Sequence, residues 1–175
     1  GLNFDVANLR YASVLGRIGL AWMFAALLFM NTRNVKIRLL WFSGILIFYW
    51  LLFVFFKAPD LGDPDPYSMR GNISSYVDRI LLPGRFCCYG VGDNEGLLPT
   101  VAAVGTALLG MLTGEFLMTK LKPAKKVVYL VIAAVLLMIV GQVWNLAFPI
   151  NKNLWSSSFV CWVGGLSMLL LAIFY

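Results

Sequence analysis

The sequence predicts an all-α fold, a polytopic transmembrane helical bundle with about five spanning helices and one long extracytoplasmic loop. Three observations predict it. The 175 residues are 61% hydrophobic and only 13% charged, whereas soluble domains are about half apolar and about a quarter charged. Five apolar segments reach the roughly 20 residues needed to cross hydrocarbon. Lipid offers no partner to a backbone N–H or C=O, so each segment has to be a helix.

The first segment covers residues 12–30 and carries Arg17 within its opening turns. A charge there either snorkels toward the headgroups or lines a polar cavity. The second covers 39–56, after a turn with Arg33, Lys36 and Arg38. The third, 98–118, ends before Lys120, Lys122, Lys125 and Lys126. Those seven cations share one face with the single acidic residue Glu115, expected to pair with nearby lysines, and basic short loops predict a cytoplasmic face. The opposite face balances Arg10, Arg17, Lys57, Arg70, Arg79, Arg85 and Lys152 against Asp5, Asp60, Asp63, Asp65, Asp78, Asp93 and Glu95. It is the predicted extracytoplasmic side, holding loops 57–97 and 149–156. The net charge of +6 thus reflects topology, and no nucleic-acid partner is indicated. The expected partner is the lipid bilayer and the expected location a bacterial inner membrane; homo-oligomer formation stays open.

Loop 57–97 divides into parts. Residues 58–66 are rich in proline, glycine and aspartate and predict irregular chain. Residues 75–82 predict a short surface helix, with Ser75 at its start and Asp78 three residues on. Asn72-Ile73-Ser74 matches a glycosylation sequon, a weak pattern by itself. Asp93-Asn94-Glu95-Gly96 precedes the third span and places carboxylates at a helix N-terminus, where they either cap it or bind a polar substrate. Gly105, Gly110 and Gly114 recur along the third span, and Gly110 and Gly114 form a small-residue face suited to close helix packing.

The fourth segment, 127–148, ends with Gln142, Trp144 and Asn145 and leads into Pro149-Ile150-Asn151-Lys152-Asn153-Leu154-Trp155-Ser156. Proline stops the helix, Asn151 or Asn153 can turn the chain, Trp155 suits an aromatic belt and Ser156 to Ser158 can start the next span, 157–175. The Asn-Lys-Asn cluster exceeds those roles and suits hydrogen bonding to a sugar or an acyl donor. Histidine is absent, which removes the commonest general base and metal ligand, and no metal is expected. Cys87 and Cys88 are adjacent and open to a vicinal disulfide, a bridge elsewhere, or two free thiols, while Cys161 is expected to pack as a small hydrophobe. No signal-peptide pattern follows Gly1, and the single transmembrane region 1–175 is expected to belong to a longer polytopic protein.

Four blocks carry a family resemblance. Asp93-Asn-Glu-Gly-Leu-Leu-Pro-Thr100, followed by Leu109-Gly-Met-Leu-Thr-Gly114, is one; Phe148-Pro-Ile-Asn-Lys-Asn-Leu-Trp-Ser-Ser-Ser-Phe-Val160 is another. Tyr76-Val-Asp-Arg-Ile-Leu-Leu82 and Val14-Leu-Gly-Arg-Ile18 complete the set. Together they resemble the heparan-α-glucosaminide N-acetyltransferase family and its bacterial relatives, with Asn94 where that family usually has proline and Gly16 where it has glutamine. The resemblance implies a multi-span acyltransferase that takes an acetyl group from acetyl-CoA and passes it to an amino sugar or glycan on the far side of the membrane. The family's reactive histidine lies upstream of the matched region, so no catalytic residue carries over, and these residues alone are expected to be inactive. The matched positions proposed as substrate-binding are Asp78, Arg79, Asp93, Glu95, Asn151, Lys152, Asn153 and Trp155. A sugar-related transporter is the alternative reading, and a purely structural membrane module is a third.

Overall fold

Short polar side chains set the helix starts. Ser13 Oγ accepts the Gly16 amide at 3.0 Å, Asn34 Oδ1 the Lys36 amide at 2.9 Å, and Ser156 Oγ the Phe159 amide at 3.3 Å, each satisfying a donor that the first turn leaves orphaned. The structure, a computed structural model, describes residues 9–87 and 90–175; Asp5 and Cys88 lie outside them. Six helices result: α1 (Val14–Asn31), α2 (Val35–Phe55), α3 (Ile73–Leu81), α4 (Leu97–Leu117), α5 (Pro123–Trp144) and α6 (Ser157–Phe174). All but α3 are long and apolar enough to cross a membrane. The chain is an all-helical integral membrane protein, and large apolar side chains on the outward faces of its spans meet the bilayer.

Three boundaries moved by four residues. The second span starts at Val35 and the fourth at Pro123, because the basic side chains at each entry ride on the helix, and the fourth stops at Trp144. The short surface helix also starts earlier than its serine suggested. Its N-cap is Asn72, which is fully buried, accepts the Ser75 amide at 2.7 Å and donates to the Ser68 carbonyl. That burial removes Asn72 as an accessible sequon asparagine.

Helix α4 is the axis of the bundle, packed on α1, α2 and α6, with α3 against its beginning; α5 pairs mainly with α6. Glycines set the α5–α6 distance: a Cβ on Gly141 would lie 2.8 Å from the Trp162 amide nitrogen, and one on Gly165 would lie 2.6 Å from the Ala134 carbonyl. On α4 the close approach is at Gly105, where a Cβ would sit 3.1 Å from Leu46. Gly110 and Gly114, expected to pack a neighbour, face open space and line a groove of about 400 Å³ between α4 and α6.

An aromatic cluster of Tyr49, Phe53 and Phe148 closes the core near the loop end. Buried hydroxyls tie it to the backbone: Tyr49 donates to the Leu154 carbonyl at 2.5 Å and Ser157 to that of Leu46 at 2.7 Å. At the basic end Glu115 pairs with Arg38 at 2.6 Å and not with a lysine. Arg38 also serves the carbonyls of Thr32 and Phe29. Helix α2 thereby brings it across the α1–α2 turn, which sequence distance from Glu115 concealed.

Candidate functional site

The loop end is organised around the start of α4. Gly96 caps that helix without a side chain, and the nearest orphan amide, on Leu97, goes to Asp78 Oδ1 at 2.9 Å. Asp78 is fully buried. Burial pushes its carboxyl up to about 6, against the opposing pull of the Leu97 and Asp93 amides. Its chain neighbour Arg79 points elsewhere, holding Asp60 through Nε and Nη2 at 2.7 and 2.8 Å and donating also to the Val91 carbonyl. Asp78 and Arg79 therefore brace the loop.

Asp93 does comparable work. Arg10 grips it with Nε and Nη2 at 3.0 and 2.8 Å, and the amides of Cys87 and Glu95 add bonds at 2.7 and 3.0 Å. Burial would raise its carboxyl, but those donors prevail and hold it at about 2. The hydrogen bond to Asp93 in turn raises the Arg10 guanidinium above its ordinary value. Arg10 also bonds Glu95, a half-buried carboxylate of the same turn. Cys87 is in a disulfide, which sets aside two free thiols, and Cys161 is buried and free.

In the octapeptide, Asn151 has a local task. Its Oδ1 accepts the Asn153 and Leu154 amides at 2.9 and 3.4 Å, and its backbone closes onto Ser156. This asparagine turn aims Lys152 outward and forces Trp155 into the left-handed region at φ 51°, a conformation that costs a bulky residue about 1–3 kcal/mol. Tertiary contacts hold it there. The indole N–H donates to Thr106 Oγ1 at 3.1 Å, Phe159 packs edge-on at 5.2 Å, and the Arg17 guanidinium lies 4.9 Å above the ring.

Those contacts build a cleft of about 400 Å³ between α1 and α4, lined by Arg17, Glu95, Thr106, Lys152 and Trp155 on its polar side. Of the expected site residues, the structure brings Glu95, Lys152 and Trp155 together here. Asp78, Arg79 and Asp93 support the walls from outside, and Asn151 and Asn153 shape the turn. Gln142, Trp144 and Asn145 stand apart: Asn145 Oδ1 accepts the Ile150 amide at 2.7 Å and Trp144 packs on Trp50. Two contributors had weak signals. Thr106, which lines the cleft, is a lone hydroxyl in the middle of an apolar span, and Arg10, which stands outside the lining and holds Glu95, precedes the first helix without a motif. Trp155 also borders the α4–α6 groove, so one indole separates two cavities. Chemically the cleft offers two indoles, Trp22 and Trp155, two cations, a carboxylate and a hydroxyl, a set suited to a polar, hydroxylated ligand. Comparison with family models and with curated proteins gives no match.

Proposed function

We propose that the chain is part of a transmembrane acyltransferase that passes an acetyl group from acetyl-CoA across the membrane to an amino sugar or glycan. The observation that supports it is convergence. Arg17, Glu95, Lys152 and Trp155 come from three of the four blocks that resemble the heparan-α-glucosaminide N-acetyltransferase family, and they line one cleft. The fourth block supplies Asp78, which secures the start of α4 beside it. On this reading Trp155 stacks on the sugar ring, Lys152 donates to its hydroxyls and Glu95 accepts from them. The acceptor amine forms the new C–N bond and loses a proton, the thioester C–S bond breaks, and CoA leaves as its thiol. No residue of this chain is assigned as the base.

The same reading makes the basic end cytoplasmic and the loop end extracytoplasmic, in a bacterial inner membrane. Arg38 and Lys126 are committed to Glu115 and to the Leu117 carbonyl. Arg33, Lys36, Lys120, Lys122 and Lys125 are exposed and form no ion pair with a described residue. Free cations of that kind suit the phosphates of CoA.

Incubation of the full-length protein with labelled acetyl-CoA and glucosamine is expected to yield labelled N-acetylglucosamine, and the 175 residues alone are expected to yield none. Sealed vesicles that accumulate labelled sugar without acetylating it would replace this reading with transport.

A further inference from the structure

Three arginines of the loop end can present the same hydrogen-bonding edge, and two of them hold a carboxylate on it. Arg10 uses Nε and Nη2 for Asp93, and Arg79 uses Nε and Nη2 for Asp60. That side-on fork matches two oxygens of one oxyanion. In Arg17 the same two atoms are buried and find no hydrogen-bond partner among the described residues, although the residue is only 6% exposed. Its guanidinium stays charged, and an unpaired cation inside a span is costly. The Trp155 ring face offsets part of that cost, by less than a bidentate oxyanion does.

The surroundings narrow the missing partner. Glu95 is engaged by Arg10, so Arg17 and Lys152 leave the cleft with excess positive charge. Its remaining wall is hydrocarbon, from Ile18, Ala21, Trp22, Ala103 and Ala107. Ile18 and Trp22 are 59% and 63% exposed on the flank of α1, so the cleft opens sideways into the bilayer. Arg17 is the fourth residue of α1, about 5 Å in from its start at 1.5 Å per residue, which is headgroup depth. Basic pockets between spanning helices at that depth suit anionic headgroups.

We infer that the cleft binds an anionic lipid, with the phosphate on the Nε and Nη2 edge of Arg17, Lys152 as the second charge, and the acyl chain along Ile18, Trp22 and Ala107. An amphiphile answers the charge and the hydrocarbon wall together, whereas a soluble anion answers only the charge. The inference deepens the acceptor reading and rests on it in one respect: a headgroup seated at Arg17 sets whatever it carries beside Glu95, Lys152 and Trp155.

The test uses delipidated full-length protein in detergent, with no acetyl donor. Phosphatidylglycerol and phosphatidylcholine are titrated in turn, and binding is read by native mass spectrometry and by the thermal midpoint. Phosphatidylglycerol is expected to bind at least about 10-fold more tightly, as loss of a charged bidentate contact implies. Arg17→Met is expected to abolish that preference, and Arg17→Lys, which keeps the charge without the fork, to fall between. Without lipid, Arg17→Met is expected to unfold at or above the wild-type temperature, because an apolar side chain of similar length relieves an unpaired buried charge. Equal lipid preference in wild type and Arg17→Met overturns the inference. So does a large drop in the lipid-free midpoint of Arg17→Met, which would mark a structural partner, or full competition by inorganic phosphate, which would mark a soluble anion site. Lipid preference with no acetyl transfer overturns the acyltransferase reading alone, and transfer to soluble glucosamine with no lipid preference overturns this inference alone.

Discussion

The Asp78 carboxylate accepts the Leu97 amide at 2.9 Å, so the surface helix α3 is fastened to the first turn of the central span. The partner oxygen of the same carboxylate is buried and meets no hydrogen-bond donor among the described residues. Asp78 thus combines a cap, supplied across 19 residues of chain, with a charge that its surroundings resist.

That conflict has a pH signature. Asp78 titrates at about 6 in the folded protein, above its ordinary 3.8, so its protonation favours the fold: this contribution is complete below 3.8 and is lost as pH rises through about 6. Asp93 has the opposite sign, since it is held at about 2; its contribution is present above 3.8 and is lost as pH falls toward 2. The thermal midpoint in detergent is expected to peak at about pH 4 and to decline toward pH 6, with an Asp78 term of up to about 3 kcal/mol. Asp78→Asn should flatten the decline from pH 4 to 6 and leave the acid limb. A midpoint climbing steadily from pH 4 to 7 in wild type would contradict the burial of Asp78.

Gly96 adds a steric test of the same joint. Its φ of −62° suits any residue, so backbone freedom is not why glycine stands there. A Cβ would lie 2.0 Å from Asp78 Oδ2, and a buried carboxylate braced by an amide has little room to retreat. Gly96→Ala is expected to cost at least about 3 kcal/mol, beyond the range usual for overpacking. Gly110→Ala, where a Cβ meets nothing within 4 Å, serves as the control and should stay within about 0.5 kcal/mol. Equal midpoints for the two variants would refute the packed joint.

How much of this was legible in the sequence depends on the range of the interaction. The spans were readable because one physical constraint, backbone satisfaction in lipid, acts on contiguous residues. Local chemistry placed the start of α6 within Ser156 to Ser158, because a serine cap acts on amides of the very next turn, and the fold selects Ser156. Asn72 was missed as a cap because Ser75 offered an equally good local pattern, and only the fold shows which amide each side chain meets. The spacing of Gly110 and Gly114 fits a packing face, yet α6 stands off from them across a groove, so a Cβ at either would meet nothing within 4 Å. For the candidate site, Lys152 and Trp155 stood out through their density of polar groups. Arg10 and Thr106 did not, because each acts through a partner at least 49 residues away and neither sits in a dense motif.

Arg10 can be tested apart from the cleft. Asp93 has a side chain with no exposure, whereas Arg10 is about one third exposed. Removing the fork leaves the carboxylate on the Cys87 and Glu95 amides alone. Arg10→Gln is expected to cost about 1.5–3 kcal/mol, the range for hydrogen bonds to charged groups, and to raise the Asp93 pKa toward its ordinary value. The midpoint measured between pH 2 and 5 checks both, since the acid limb should shift upward in pH. An unmoved limb would assign the low Asp93 value to the backbone amides instead.

Trp155 and Lys152 separate positioning from contact in the proposed acceptor cleft. Thr106→Val keeps the shape of the side chain and deletes the acceptor of the indole N–H, which costs about 1–3 kcal/mol when the donor is left unpaired. Because Trp155 is held in a left-handed conformation, that lost bond frees the ring to leave its place over Arg17. Lys152 is exposed and its ammonium forms no hydrogen bond or ion pair with a described residue, so Lys152→Ala, which keeps the carbonyl that accepts the Trp155 amide, is expected to leave the midpoint within about 0.5 kcal/mol. On the proposed acyltransferase reading, Lys152→Ala in the full-length protein should raise the acceptor KM roughly 10-fold or more, as loss of a charged hydrogen bond predicts. Thr106→Val should lower both kcat and the midpoint, because it disturbs the wall and leaves the cation in place. If Lys152→Ala turns over the acceptor with unchanged KM, the lysine is an interfacial anchor, and the acceptor contacts have to be sought at Glu95 and Trp155.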